Sequence, residues 1–362
     1  MNSLNNINSL RIDIKELKDI TNLYEHKGKD FYYLETFKKD INSITTDVVL
    51  RNCKAIINFK KINISDSRLR QLVKKDSPAR NKDEHLIKNT ATIINTFAAH
   101  IKEFDFNTNQ FLNLARVLFN QIKKIEFKVY NKKVQENLLM VDKKFNCRDV
   151  LEEMIKKYES LLKSQKYELV SLVASFYIDF MMEEIFNDEN EFIGMFIIYS
   201  LLFKARFELF RFTSFIEVFY NNYDEFKDAL AKSEFGWHEG YPNASHLTSV
   251  LRRIMIDCYS KIDGMLKTSE IISGNQKTSM IEYSILRRLP DVFTKEMVQE
   301  MNPNASMTTI DRTLSRLRNE NKIRPNGTGR SATWTRIYNE DKYDNNKALK
   351  QFTIADYIPE EE

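Results

Sequence analysis

The stretch EEIFNDENEFIGMF (Glu183–Phe196) sets five carboxylates and two asparagines between two of the most apolar runs of the chain. A solvated turn is one reading of it. The other is a worn-down phosphate-binding loop, in which backbone N–H groups at the start of the following helix meet an anion. Elsewhere the signals are weaker. Cys53, Cys147 and Cys258 lie far apart, with no Cys or His at zinc-ligand spacing, so a structural metal is not expected. In FGWHEG the bland reading is that Trp237 anchors a turn while His238 caps a neighbouring backbone group. No Walker, Rossmann or Ser-His-Asp pattern occurs.

The flanking runs must position the loop. Leu169, Leu172, Val173, Phe176, Tyr177, Phe180 and Met181 recur at helical spacing with a wide apolar face. Beyond the loop, Phe192, Ile193, Phe196, Ile197, Tyr199, Leu201 and Leu202 make a helix apolar on nearly every side, which belongs in the middle of a bundle. Residues 1 to about 50 read as amphipathic helices, and DSPARNKDEHLIKNTATIINTFAAHI as a turn followed by a helix. FKVYNKKVQENLLMVDKKFNCRDV alternates like a short hairpin or flap. Further helices are expected over Phe215 to Leu230 and Leu247 to Met265.

The totals agree with a large helical core. In 362 residues there are only 8 Gly and 6 Pro, against 25 Phe and 16 Tyr. The 55 basic and 51 acidic residues leave +4, too small an excess to name a partner. The most hydrophobic window, Phe192 to Phe203, is too short to span a bilayer. The expectation is a cytoplasmic protein with reduced thiols and no membrane partner.

From about Thr278 the texture changes to helix, Pro break, short helix, Pro/Asn turn and a third helix at Met307 capped by Ser306. Two short strands around a Gly-rich turn follow in KIRPNGTGRSATWTRIY. That order is a winged helix-turn-helix, whose later helix would enter the major groove of double-stranded DNA. Thr308, Thr309 and Arg312 are the base or phosphate donors expected on it, joined by Arg316. Arg318, Lys322, Arg324 and Arg330 would track the backbone. Between Met280 and Glu340 ten Lys/Arg less seven Asp/Glu leave +3, enough for weak attraction to a duplex. Packing or protein contact without DNA is the competing reading.

EIFNDENEFIGMFIIYSLLFK resembles the signature of the Fic (Fido) family of protein nucleotidylyl transferases, His-x-Phe-x-Asp/Glu-Gly-Asn-Gly-Arg-x-x-Arg. The GWHE turn, the downstream GRSATW and the upstream ISDSRLRQL are similar to further Fic segments in the same order. The resemblance spans about residues 50 to 340. It implies transfer of AMP from ATP to a protein hydroxyl, with a histidine base, an acid on Mg²⁺, glycines admitting the phosphates and an arginine on their far end. Matched residue by residue, Phe186 stands at the Phe, Asp188 at the metal-binding acid and Asn190 at the nucleotide-binding Asn. Glu184 stands at the catalytic His, Glu189 and Glu191 at the glycines, Phe192 at the first Arg and Met195 at the second. In the family's inhibitory motif, Lys60 and Lys61 fall where Glu and Gly/Asn are expected, and Lys60 is placed to salt-bridge the acidic loop.

The expected fold is therefore mainly α: a Fic-like helical bundle with a short β-flap, followed by a small α/β winged helix-turn-helix domain. Residues 1–90 form an N-terminal helical region with a degenerate inhibitory segment, 91–270 the core, 278–340 the winged helix and 341–362 a polar tail. The leading functional expectation is a regulatory scaffold, a pseudoenzyme with an unidentified protein partner, homodimerisation and DNA as further partners, and no obligatory cofactor. The rival is an AMP transferase using Glu184, Asp188 and Asn190 in an altered mode, with ATP and Mg²⁺.

Overall fold

A computed structural model describes residues 1–10, 12–75, 77–136, 139–274, 281–303, 305–327 and 332–337, with side chains described outside 132–143 and 267–274. The chain forms two compact units, Met1–Leu266 and Lys267–Glu362.

In the first unit the helices are α1 Asn2–Asn5, α2 Ile14–Gly28, α3 Asp30–Thr36, α4 Ile41–Phe59, α5 Asp66–Lys74, α6 Lys82–His100 and α7 Thr108–Leu118. After the hairpin β1 Val129–Glu136 and β2 Leu139–Asn146 come α8 Cys147–Ser164, α9 Leu169–Met182, α10 Asn190–Lys204, α11 Phe215–Asn221, α12 Tyr223–Glu234 and α13 Ser245–Gly274, of which the part up to Leu266 belongs to this unit. Local chemistry explains many of the starts. Side chains of Asp13, Ser65, Asn81, Asn107, Asn146 and Ser214 each accept a backbone N–H at a helix N-terminus, and such a cap contributes about 1 kcal/mol.

The expected helix over Phe215 to Leu230 is in fact two. Asn222 separates α11 from α12 and spends its amide on the Val218 carbonyl at 2.9 Å, a local hydrogen bond that competes with continued helix. The expected flap is an antiparallel pair in register Val129↔Asn146 to Glu136↔Leu139, with Tyr130 and Phe145 stacked at 5.7 Å. The expected core helices α9 and α10 lie side by side, every residue from Val170 to Phe180 and from Phe192 to Phe203 being buried. The three cysteines are buried and free.

The α9–α10 approach depends on Gly194. A Cβ there would lie 2.6 Å from the Tyr177 ring and 3.4 Å from the Phe180 ring, and Tyr177 is fully enclosed. Gly194→Ala is thus expected to destabilise the first unit by about 1–3 kcal/mol through overpacking, despite the better helix propensity of alanine. Chemical denaturation measures it; a stabilised variant would show that Tyr177 moves freely.

The second unit has its own small core of Ile281, Ile285, Leu289, Phe293, Val298, Ile310, Leu314, Leu317 and Ile323. A π-helical turn at Ser284–Arg288 leads to β3 Val292–Thr294, α14 Lys295–Met301, α15 Met307–Asn319, β4 Ile323–Asn326 and β5 Thr333–Arg336. The strands form an antiparallel sheet in the order β3-β5-β4. Ser306 caps α15 by accepting the Thr309 N–H at 3.2 Å. Ile310, Leu314 and Leu317 face inward as their spacing predicts. Among the described residues no helix is long and apolar enough to cross a membrane.

Candidate functional site

The acidic loop closes the gap between α9 and α10, and the backbone beneath it is firmly held. Phe186 and Ile185 are buried, Phe186 stacks on Phe127 at 5.4 Å, and the two residues form an antiparallel bridge. Asn187 ties the loop to the strand-like segment before β1: its N–H meets Glu126 O, and its side-chain oxygen accepts Glu126 N–H, both at 3.0 Å. Lys128 N–H donates to Ile185 O at 3.0 Å.

Asn190, the first residue of α10, uses both ends of its amide inside the loop. Its Oδ1 accepts the Phe186 N–H at 2.8 Å and its Nδ2 donates to Phe186 O at 2.8 Å. Asp188 likewise turns inward, accepting the Glu189 N–H at 2.7 Å. Glu189 itself has φ +57° and Glu184 φ +44°. A left-handed backbone costs a non-glycine residue about 1 kcal/mol, so the loop keeps the conformation that glycine suits at a position occupied by glutamate. Lys61, next to the end of α4, has φ +53°, again at a place where the resembled pattern has Gly or Asn.

The loop is not the bare negative surface that its own residues suggest. Lys123, from the turn after α7, lies 2.8 Å from Asp188 and 2.6 Å from Glu189. Lys128 pairs with Glu184. Lys60, capping the C-terminus of α4, reaches Glu189 at 3.7 Å and stands 4.8 Å above the Phe192 ring, a cation–π arrangement. Phe59 beside it stacks on Tyr220 at 3.9 Å, and the Tyr223 hydroxyl donates to Glu191. Four carboxylates (Glu184, Asp188, Glu189, Glu191) thus face three lysines, a net of −1. Sequence reasoning placed Lys60 here and missed Lys123 and Lys128, which lie about 60 residues before the loop and carry no motif. The hairpin-and-flap reading was the only available hint.

Protonation follows the pairing. The hydrogen bond from Lys123, with help from the Glu189 N–H, holds Asp188 below the ordinary aspartate value. Partial burial opposes the Lys123 charge, yet hydrogen bonds to Asp188 and Glu189 outweigh it and keep its pKa raised. Lys128 is raised by its hydrogen bond to Glu184. Glu184 has a side chain 62% exposed, so the partial burial expected of a general base is missing. Phe192 and Met195 are buried in the core, where neither offers a donor to an anion. No group of three or more His, Cys, Asp or Glu residues arranged to hold a metal occurs among the described residues.

Each pair is partly exposed and contributes about 1 kcal/mol. Their combined strength therefore does not exclude a polyphosphate. Glu189 and Glu191 place two further carboxylates at the start of α10.

His238 is exposed and makes no hydrogen bond among those described, so it caps nothing; Trp237 is buried and donates from Nε1 to Asp179 at 2.7 Å. On α15, Thr308, Arg312, Arg316 and Arg318 are exposed and Thr309 half-buried. Arg316 is drawn into a cluster with Glu282 and Glu320 that also holds Lys322, and Lys295 pairs with Asp311 at 2.5 Å. Arg312, Arg318 and Arg324 have no such partner among the described residues. Arg330 lies outside the described residues.

No protein-family model and no curated protein matches the chain. Solved structures do. A Fic family protein from Desulfovibrio desulfuricans G20 superposes with a TM-score of 0.51 at 10% identity, over 91% of this chain and 97% of that one. Fic-1 from C. elegans superposes with a TM-score of 0.50 at 8% identity, over 72% of this chain and 75% of that one. At such identities the likeness speaks for the fold alone, and the fold is that of Fic proteins.

Proposed function

We propose that this Fic-fold chain is a scaffold that no longer transfers AMP, and that its C-terminal unit is a winged helix that binds duplex DNA. One observation carries the first half: the loop has turned its polar groups on itself and on three lysines. Both amide atoms of Asn190 bond the Phe186 backbone, Asp188 is bound to Lys123 and the Glu189 N–H, and Glu184 is tied to Lys128. Phosphoryl and nucleotidyl transfer rest on positioning and electrostatic stabilisation of phosphates, whereas Lys60, Lys123 and Lys128 are engaged by the loop's own carboxylates.

The rival reading, a transferase working through Glu184, Asp188 and Asn190 with ATP and Mg²⁺, is separated by incubation with labelled ATP, CTP, GTP and UTP plus Mg²⁺. The scaffold reading expects no covalent label on the chain or on lysate proteins. Label that vanishes in Asp188→Ala overturns it.

Support for DNA binding is the helix order, the strand order β3-β5-β4 and the outward Thr308, Arg312 and Arg318. Because Arg316 is engaged by Glu282, Arg312 and Arg318 carry the greater part. Binding of a random duplex is expected to be weak and salt-dependent, and Arg312→Ala with Arg318→Ala to reduce the salt slope by about two. Fluorescence anisotropy at low salt reads this; an unchanged slope removes the DNA assignment. The proposal includes a cytoplasmic setting, in keeping with three free buried thiols, and a protein partner for the first unit.

A further inference from the structure

At the end of α9 opposite the acidic loop, a cavity of about 230 Å³ opens between the segment after α1 and the start of α13. Its floor holds Arg252, whose side chain is 3% exposed. A guanidinium offers five N–H donors, and this one is poorly served. Nη2 makes two long contacts, 3.3 Å to Ser171 Oγ and 3.5 Å to Glu168 Oε2. Nε and Nη1 are buried and have no acceptor among the described residues.

Glu168 does not meet the need. Its Oε2 caps α9 and already accepts the Ser171 N–H and hydroxyl, each at 2.7 Å. A buried guanidinium with so few partners is costly unless an oxygen anion completes it.

The cavity walls are two-sided. Ile7, Leu10 and Ile12 line one part; Ser171, Ser245 and Thr248 line another with Arg252. Lys166 stands exposed among the lining residues, and Tyr167 pins Asn8 at 2.5 Å. Arg252 and Lys166 are balanced by Glu168 and Glu16, so the lining is neutral overall. A dianion gains little from such a site. A monoanion with an apolar body fits its charge, and the size lies below that of pockets for drug-like ligands.

We propose that this cavity binds a small organic carboxylate, its head on the Arg252 guanidinium and its body against Ile7, Leu10 and Ile12. The carboxylate comes from a simple acid or from an apolar amino acid, and isovalerate and leucine represent the two. The full-length chain is titrated with isovalerate, leucine and inorganic phosphate by ligand-observed NMR and by thermal shift.

Saturable binding of isovalerate or leucine, stronger than that of phosphate, is the expected result, and the stronger of the two identifies the source. Arg252→Gln is expected to weaken it at least tenfold. Because loss of a buried Arg can also impair folding, two further variants carry the test: Lys166→Glu at the exposed rim, expected to weaken binding about threefold or more, and cavity-filling Leu10→Trp, expected to abolish it. The proposal is overturned if neither carboxylate saturates, if phosphate binds best, or if Lys166→Glu and Leu10→Trp leave the affinity unchanged.

Discussion

Asp179→Ala is expected to lose about 3–5 kcal/mol of the stability of the first unit, the penalty for orphaning a buried hydrogen-bonded network. Asp179 sits in the last turn of α9 with no solvent exposure. Its two oxygens accept the Ser3 N–H at 2.8 Å, the Leu4 N–H at 2.9 Å and the Trp237 indole N–H at 2.7 Å. One carboxylate thereby fastens α1 and the Gly-bounded turn of residues 236–240 to the central helix. Burial pushes its pKa up, against the hydrogen bonds that favour its charge. Removing it leaves three donors facing apolar surroundings and a cavity. In a unit of this size a loss of 3–5 kcal/mol lowers Tm by roughly 10 °C. Trp237 provides a local readout in a Trp334→Phe background: its emission should shift to the red as the turn loosens. An unchanged Tm would mean that α1 and the turn are held elsewhere.

Stability should also fall as pH rises from about 4 to about 7, with Asp30 as a main cause. Asp30 begins α3, is 7% exposed, and accepts the Glu208 N–H at 3.1 Å and the Tyr259 hydroxyl at 3.0 Å through Oδ2. Its Oδ1 has no donor among the described residues. Burial raises its pKa from 3.8 to about 7, despite those two hydrogen bonds and nearby Lys27. The sign follows from proton counting. Between the two values the folded state holds a proton that the unfolded state has released, so each rise in pH favours unfolding. The full difference is on the order of 4 kcal/mol, complete above about pH 7. Asp30→Asn keeps an oxygen for Glu208 and Tyr259 and removes the titration. Denaturation midpoints of the variant and the parent compared from pH 4 to 8 should therefore diverge upward, with the variant more stable at pH 8. Parallel profiles would refute the assignment. Using the difference cancels His26 and Asp263, which pair at 3.4 Å nearby.

The helical core was legible because its apolar periodicity is unambiguous: α9 and α10 are buried along nearly their whole length, and the spacing of Ile310, Leu314 and Leu317 placed the inward face of α15. The flap was legible from alternation. What escaped was tertiary. Asn222 breaks a run that looks continuous because its side chain bonds the preceding turn. Lys123 and Lys128 are ordinary lysines in a lysine-rich chain, and only folding brings them to the loop. Arg252 reads as one basic residue of an RR pair in a helix, and its burial depends on where α13 packs. The acidic loop itself was legible as an oddity, but its meaning shifted: the carboxylates do not repel an incoming phosphate unopposed, since three of the four are paired with lysines.

That pairing bears on the central claim, and titration calorimetry of Mg²⁺–ATP into the full-length chain tests it most directly. With Asn190 bonded to Phe186, the loop lysines engaged by its carboxylates and buried Phe192 and Met195 at the positions where the resembled pattern has arginines, the account predicts no saturable heat at submillimolar nucleotide. Micromolar binding that is lost in Asp188→Ala would contradict it and establish the loop as a working nucleotide site.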